Sequence, residues 1–248
     1  MTGRWQQFGL TPNPERRGEI YPALEPVARQ ADGFFFMHKP PGMRIRFQGF
    51  DARDQLDAWR EEGLLADWRH GVYEPESHLF GGPVSMRSVH RVFAADSLAW
   101  LGYHAAERPG PAWAMSLLLL RSLLEALRIV DWEDLDVWDR VRRHRPLAPA
   151  AVLDPRFHRL ADELRTAWAS PEVLTAKLSP SMVDLAEEYG KAVADEGPRW
   201  FEGYFESGSA SMGPRAVASY VILFHWNRAA LPSWQQALLA GALLERVR

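Results

Sequence analysis

Hydrophobic and polar positions change period once along this chain, near Pro83. Before it, apolar residues tend to alternate with polar ones, as in strands. A short strand is expected at Trp5–Phe8, followed by irregular chain, with Pro12, Pro14, Pro22 and Pro26 as breaks. The clearest β signal follows. Phe34-Phe35-Phe36-Met37-His38 leads into Lys39-Pro40-Pro41-Gly42, and then Met43-Arg44-Ile45-Arg46-Phe47-Gln48 alternates strictly. Met43, Ile45 and Phe47 share one face, Arg44, Arg46 and Gln48 the other, and the Pro-Pro-Gly break predicts the loop of an antiparallel pair. Asp51–Leu65 is expected to be helical, with Leu56, Trp59 and Leu64 in the core. Leu65–Glu76 is expected as a strand carrying Trp68, Val72 and Tyr73.

After Pro83 the helical period takes over. Helices are expected at Val84–His104, Trp113–Val130, Glu133–Arg143, Pro155–Ser170, Ser181–Glu206, Pro214–Arg228 and Ser233–Arg248, separated by prolines and glycines. Strands first and helices afterwards predict an α+β fold: a small antiparallel sheet from the N-terminal part, packed with a larger set of C-terminal helices. No internal repeat or long linker divides residues 1–248, so one domain is expected.

Composition narrows the function classes. With 47% hydrophobic and 25% charged residues the chain is neither disordered nor fibrous. A net charge of −3 gives no basic footprint for nucleic acid. The absence of cysteine removes disulfides, thiolate metal sites and cysteine nucleophiles, and it fits a reducing cytoplasm. The start lacks a secretory leader, and the uncharged stretches at Pro109–Leu120 and Ala216–Phe224 are shorter than the roughly 18 apolar residues of a spanning helix. A cytoplasmic protein without a membrane partner is expected. The 11 tryptophans are numerous enough to line a peptide groove as well as a core.

GxGxxG after a strand, GxxxxGK[ST], HExxH and GxSxG are all missing. What remains is local. Arg44 and Arg46 project from one strand face about 7 Å apart, which suits either an anion or peptide carbonyl or a solvated surface. In Tyr73-Glu74-Pro75-Glu76-Ser77-His78, an extended backbone would put Glu74, Glu76 and His78 on one face; the other reading is a polar loop. Asp96 falls on an apolar stripe with Val89, Phe93 and Trp100, so it needs an arginine or backbone donors. Pro214–Arg228 carries no charge between Arg215 and His225, which predicts near-complete burial. On it His225 and Arg228 share one face and Tyr220 and Asn227 another, while Ser219 points elsewhere.

In order along the chain, four segments resemble the glutamate-elimination domain of class I lantibiotic dehydratases. Phe34-Phe35-Phe36…Gly42-Met43-Arg44-Ile45-Arg46-Phe47 resembles its "wFf-x-R-Y…G-x-H-L-R-L-R-F". Tyr73-Glu74-Pro75-Glu76…Gly81-Gly82 resembles "Y-x-x-E-x-x-R-Y-G-G", Val92-Phe93…Asp96-Ser97 resembles "v-F-x-x-D-S", and His225-Trp226-Asn227-Arg228 resembles "H-x-x-N-R". Leu79 and Phe80 stand where the second pattern has Arg-Tyr, and Met43 where the first has His. The same fold serves thiopeptide biosynthesis, in glutamate elimination and in pyridine synthases. The latter join two dehydroalanines by a formal [4+2] aza-cycloaddition, losing water and the leader peptide. The missing arginine tilts the resemblance toward the synthase, since elimination must hold a glutamyl carboxylate. The resemblance then implies His225 as acid/base group, Glu76 positioning or polarising the reacting amide, and Tyr220 and Ser219 as hydrogen-bond donors. Arg44, Arg46, Asn227 and Arg228 would bind substrate. It implies a ribosomally made precursor peptide, leader plus dehydrated core, as partner, and no metal or organic cofactor. The alternatives are a glutamate-elimination lyase and a non-catalytic leader-binding protein.

Overall fold

The computed structural model describes residues 4–149 and 153–245. Four strands, β1 (Trp5–Pro12), β2 (Gly33–Lys39), β3 (Gly42–Gln48) and β4 (Leu65–Gly71), form one antiparallel sheet in the order β2-β3-β1-β4. The expected hairpin is β2–β3, closed by Pro40-Pro41, with Phe35 opposite Arg46 and Met37 opposite Arg44. A side chain at Gly42 would not fit: its Cβ would lie 1.8 Å from the Leu10 carbonyl oxygen of β1.

The alternation sorts the sheet into two faces. Phe8, Leu10, Phe34, Phe36, Met43, Ile45 and Phe47 are buried on one, where Trp68 Nε1 reaches Asp57 of α2 (Arg53–Glu61) and His38 reaches Tyr21 of α1 (Ile20–Ala28). Gln7, Phe35, Met37, Arg44 and Arg46 line the other. Edge strand β2 is covered by α3 (Pro83–Ala105), and the Phe36 N–H donates to Ser97 Oγ at 3.2 Å.

The helical part continues with α4 (Ala112–Ala126), α5 (Asp134–His144), α6 (Pro155–Ala169), α7 (Pro171–Thr175), α8 (Pro180–Trp200), α9 (Pro214–Arg228) and α10 (Ser233–Leu244). α8 runs into a π-turn at Phe201–Phe205. The fold is α+β. Among the described residues no helix is long and apolar enough to cross a membrane. Three expectations change. Residues 20–28 are helical, because Pro22 lies in the first turn and Pro26 leaves only the Pro22 carbonyl without its helical donor. The strand from Leu65 stops at Gly71, and residues 77–80 form a 3-10 turn, so Glu74, Glu76 and His78 do not make an extended row. The last helix ends at Leu244, and residues 246–248 lie outside the described part.

Candidate functional site

The polar face of the hairpin is partly covered, with Arg46 buried and Arg44 half-buried. Arg44 and Arg46 line a cleft of about 190 Å3 with Gln7, Tyr73, Glu74 and Glu76, and with an apolar wall including Phe35, Phe93 and Phe224. α3 supplies Phe93, α9 supplies Phe224, and the irregular chain after β4 supplies the two glutamates. Gly81 fixes the turn below: its φ is +83°, and an added Cβ would lie 1.9 Å from the Tyr204 hydroxyl.

Arg46 is 8% exposed, and its Nε and Nη1 have no hydrogen-bond partner among the described residues. Its guanidinium lies 4.8 Å from the Phe35 ring centroid and 5.1 Å from that of Tyr73. Burial lowers its pKa to about 10. A dehydrated cation with open donors is poised for a carbonyl or carboxylate oxygen.

Behind the Phe93 wall lies a second polar group, sealed from solvent. Asp96 accepts from His225 Nδ1 at 2.7 Å through Oδ1 and from Arg228 Nε at 2.5 Å through Oδ2. Ser116 Oγ lies 2.9 Å from His225 Nε2 and accepts from Trp226 Nε1 at 3.0 Å. Ser116 Oγ thus links the Trp226 indole to His225, whose other nitrogen faces Asp96, and Trp100 Nε1 lies 3.3 Å from that same Nδ1. Burial alone would raise the Asp96 carboxyl, but the charges and hydrogen bonds of His225 and Arg228 hold it below the ordinary value. Arg228 is fully buried, stacks 4.3 Å from the Phe93 ring centroid, and among the described residues its Nη1 and Nη2 have no hydrogen-bond partner. The far end of α9 is held too: His38 Nδ1 and His104 Nε2 bond the carbonyls of Asn227 (3.0 Å) and Arg228 (2.8 Å).

The structure therefore divides the residues singled out in the sequence. Arg44, Arg46 and Glu76 share the cleft. His225, 1% exposed, does not line it, and both ring nitrogens are engaged inside the protein. Ser219 is buried and donates to the Ala216 carbonyl at 2.7 Å, a bond within its own helix. Tyr220 packs against Phe80 and His144 rather than lining the cleft. The Asn227 side-chain oxygen is buried, with no hydrogen-bond partner among the described residues. Asp96 has the arginine that its place on an apolar stripe called for. Sequence reasoning missed Ser116, although a hydroxyl inside the apolar run Ala114–Leu120 signals a needed partner. It also missed His90, whose ring contacts Trp5 and Phe35 and bonds Tyr73.

The sheet face that carries buried Arg46 is thus closed by α3 and α9, which share an internal Asp96–His225–Arg228 cluster. The family described as "Lantibiotic biosynthesis dehydratase C-term" matches residues 13–247, and the chain belongs to it. The crystal structure of the tRNA-dependent lantibiotic dehydratase MibB from Microbispora sp. 107891 has a similar fold, with a TM-score of 0.64 at 18% identity. The match covers 98% of this chain and 28% of that one, so this chain spans little more than a quarter of the dehydratase's length. No curated protein matches the chain.

Proposed function

We propose that this chain is a thiopeptide pyridine synthase. It would take a ribosomally made, azole-containing precursor peptide, join two of its dehydroalanines by formal [4+2] aza-cycloaddition, and lose water and the leader. The observation that carries the reading is the charge inventory of the cleft. Two hairpin arginines face Glu76 across it, while Leu79, between the lining residues Glu76 and Phe80, supplies no third cation. A glutamyl carboxylate would need that cation, whereas a reacting amide needs oxygen-binding donors and one acceptor for its N–H. In this scheme Arg44 and Arg46 hold carbonyl oxygens and stabilise negative charge developing on them. Glu76 accepts from a neighbouring N–H of the peptide and so orients the reacting amide. His225 acts as a positioning residue: with Asp96 it holds the turn of α9 that stacks Arg228 behind Phe93, a residue of the cleft wall. Asn227 keeps the same helix end in place through its carbonyl.

The test uses mass spectrometry on two peptides. A precursor already bearing dehydroalanines should yield a macrocycle and free leader. A precursor bearing glutamylated serine should stay unchanged; its conversion to dehydroalanine would make the chain an elimination lyase instead. Leader binding without any mass change in either assay would make it a binding partner.

A further inference from the structure

The wall between two cavities contains a hydrogen-bonded pair that the scheme above leaves unused. Tyr73 lines the cleft of about 190 Å3, and His90 lines a neighbouring cavity of about 580 Å3 with Trp5, Pro75, Arg87 and Arg91. Met86 borders both. The Tyr73 hydroxyl and His90 Nε2 are 2.7 Å apart. Both rings are clamped: His90 lies 4.6 Å from Trp5 and 5.8 Å from Phe35, and Tyr73 lies 5.9 Å and 5.7 Å from the same two rings. Among the described residues only Tyr73 hydrogen-bonds the His90 ring, which leaves Nδ1 without a protein partner on a ring that borders the larger cavity. One phenol and one imidazole thus connect the two spaces.

We infer that Tyr73 and His90 form a proton relay, carrying a proton from a substrate amide in the cleft to water in the larger cavity. The relay deepens the synthase reading and rests on it. The step balances as follows. The amide N–H bond breaks and its proton goes to Tyr73 Oη, while the Tyr73 hydroxyl proton goes to His90 Nε2. The imidazole becomes a cation, then releases its Nδ1 proton to water and is neutral again. The amide keeps the electron pair as an imidate, with its oxygen held by Arg44 and Arg46. Tyr73 is then a catalytic residue; His90 acts through it.

The electrostatics agree with this geometry. Burial, and then Arg46, lower His90 to about 4, so the resting ring is neutral; the shift weakens it as a base, and its cation is a transient that passes the proton on. Burial raises Tyr73, so the phenol keeps its proton until a partner draws it. Once His90 is charged, Arg46 beside the pair repels it and favours onward loss. The charged groups bordering the pair are Arg44, Arg46, Glu74 and Glu76 on the cleft side, and Asp32, Arg87 and Arg91 on the other.

The experiment is chemical rescue with a synthetic precursor peptide bearing two dehydroalanines. Tyr73→Phe keeps the ring packing and should lower kcat about 100-fold with KM unchanged, the size of one lost acid–base step. His90→Ala should lower kcat similarly, and added imidazoles should restore it in order of their basicity. A purely structural histidine would not show that order. Wild-type kcat in Tyr73→Phe, or His90→Ala that melts normally yet is not rescued, would overturn the relay. Nitrogen-15 NMR of the histidine-labelled protein needs no substrate. It should show a neutral His90 ring with hydrogen on Nδ1 and an Nε2 shift that moves in Tyr73→Phe; hydrogen on Nε2 would overturn the relay. If the wild type turns over no dehydroalanine peptide, the synthase reading fails, and the NMR result alone decides whether the pair is wired as described.

Discussion

Arg228 Nε donates to Asp96 Oδ2 across 132 positions of sequence, and both side chains are buried. His225 occupies the other carboxylate oxygen, so one aspartate fixes two residues of α9 to α3. Removing it leaves a buried guanidinium without a counter-charge. Asp96→Ala is expected to cost about 3–5 kcal/mol, a large part of an ordinary domain's stability. Urea unfolding followed by circular dichroism measures it, and Asp96→Asn, which keeps hydrogen-bonding capacity, should lose less.

Arg46 predicts the opposite balance. Its guanidinium is desolvated without a carboxylate partner, so the folded state gains little from its charge. Arg46→Met should leave the unfolding midpoint unchanged or raise it, while the loss of charged donors worth about 1.5–3 kcal/mol lowers kcat/KM roughly 10- to 150-fold. Loss of stability together with activity would place Arg46 in the structural framework instead.

Stability should depend on pH through two buried imidazoles. Burial, reinforced by Arg46 for His90 and by His38 for His104, lowers each to about 4. The unfolded chain takes up these protons near pH 6.5, before the folded chain does, so folding weakens as the pH falls from about 6.5 to about 4. Each site accounts for about 3 kcal/mol at the bottom of that window, and the contribution is fully present above it. Chemical unfolding at a series of pH values should show this slope, and His104→Gln should flatten it.

Ser116 joins two donors' paths at one oxygen. Ser116→Ala leaves Trp226 Nε1 and His225 Nε2 facing each other without a bridge, at a cost of about 1–3 kcal/mol. A fall in melting temperature, together with a shift of the Trp226 indole proton in NMR, is the expected result.

Gly42→Ala tests the hairpin. The new Cβ would press on the Leu10 carbonyl, and the strands cannot part without disturbing Met43 and the cleft-facing Arg44. A destabilisation of about 1–3 kcal/mol is expected, measured by thermal unfolding.

The strands were legible where side chains alternate. Met43, Ile45 and Phe47 against Arg44 and Arg46 need no tertiary knowledge. α1 was hidden by its two prolines, although Ile20, Leu24, Val27 and Ala28 repeat at helical spacing and are all buried. The partnership of Asp96 with His225 and Arg228 was half visible. Helical spacing put the latter two on one face and made Asp96 need an arginine or backbone donors, but only packing of α3 against α9 says which partner answers. Near-complete burial of α9 was readable from its lack of charge, but the partners His225 meets there were not, because Ser116 and Trp100 come from two other helices. The Tyr73–His90 contact likewise joins the chain after β4 to α3 around Trp5, and no local pattern announces it.

His38 on β2 meets the Asn227 carbonyl, 189 positions away, so the ribbon and α9 are fastened to one another directly. During synthesis at about 5–20 residues per second, the ribbon emerges many seconds before its partner helix, so the cleft between them closes only late. The same long wait makes the unpaired ribbon a natural client for chaperones.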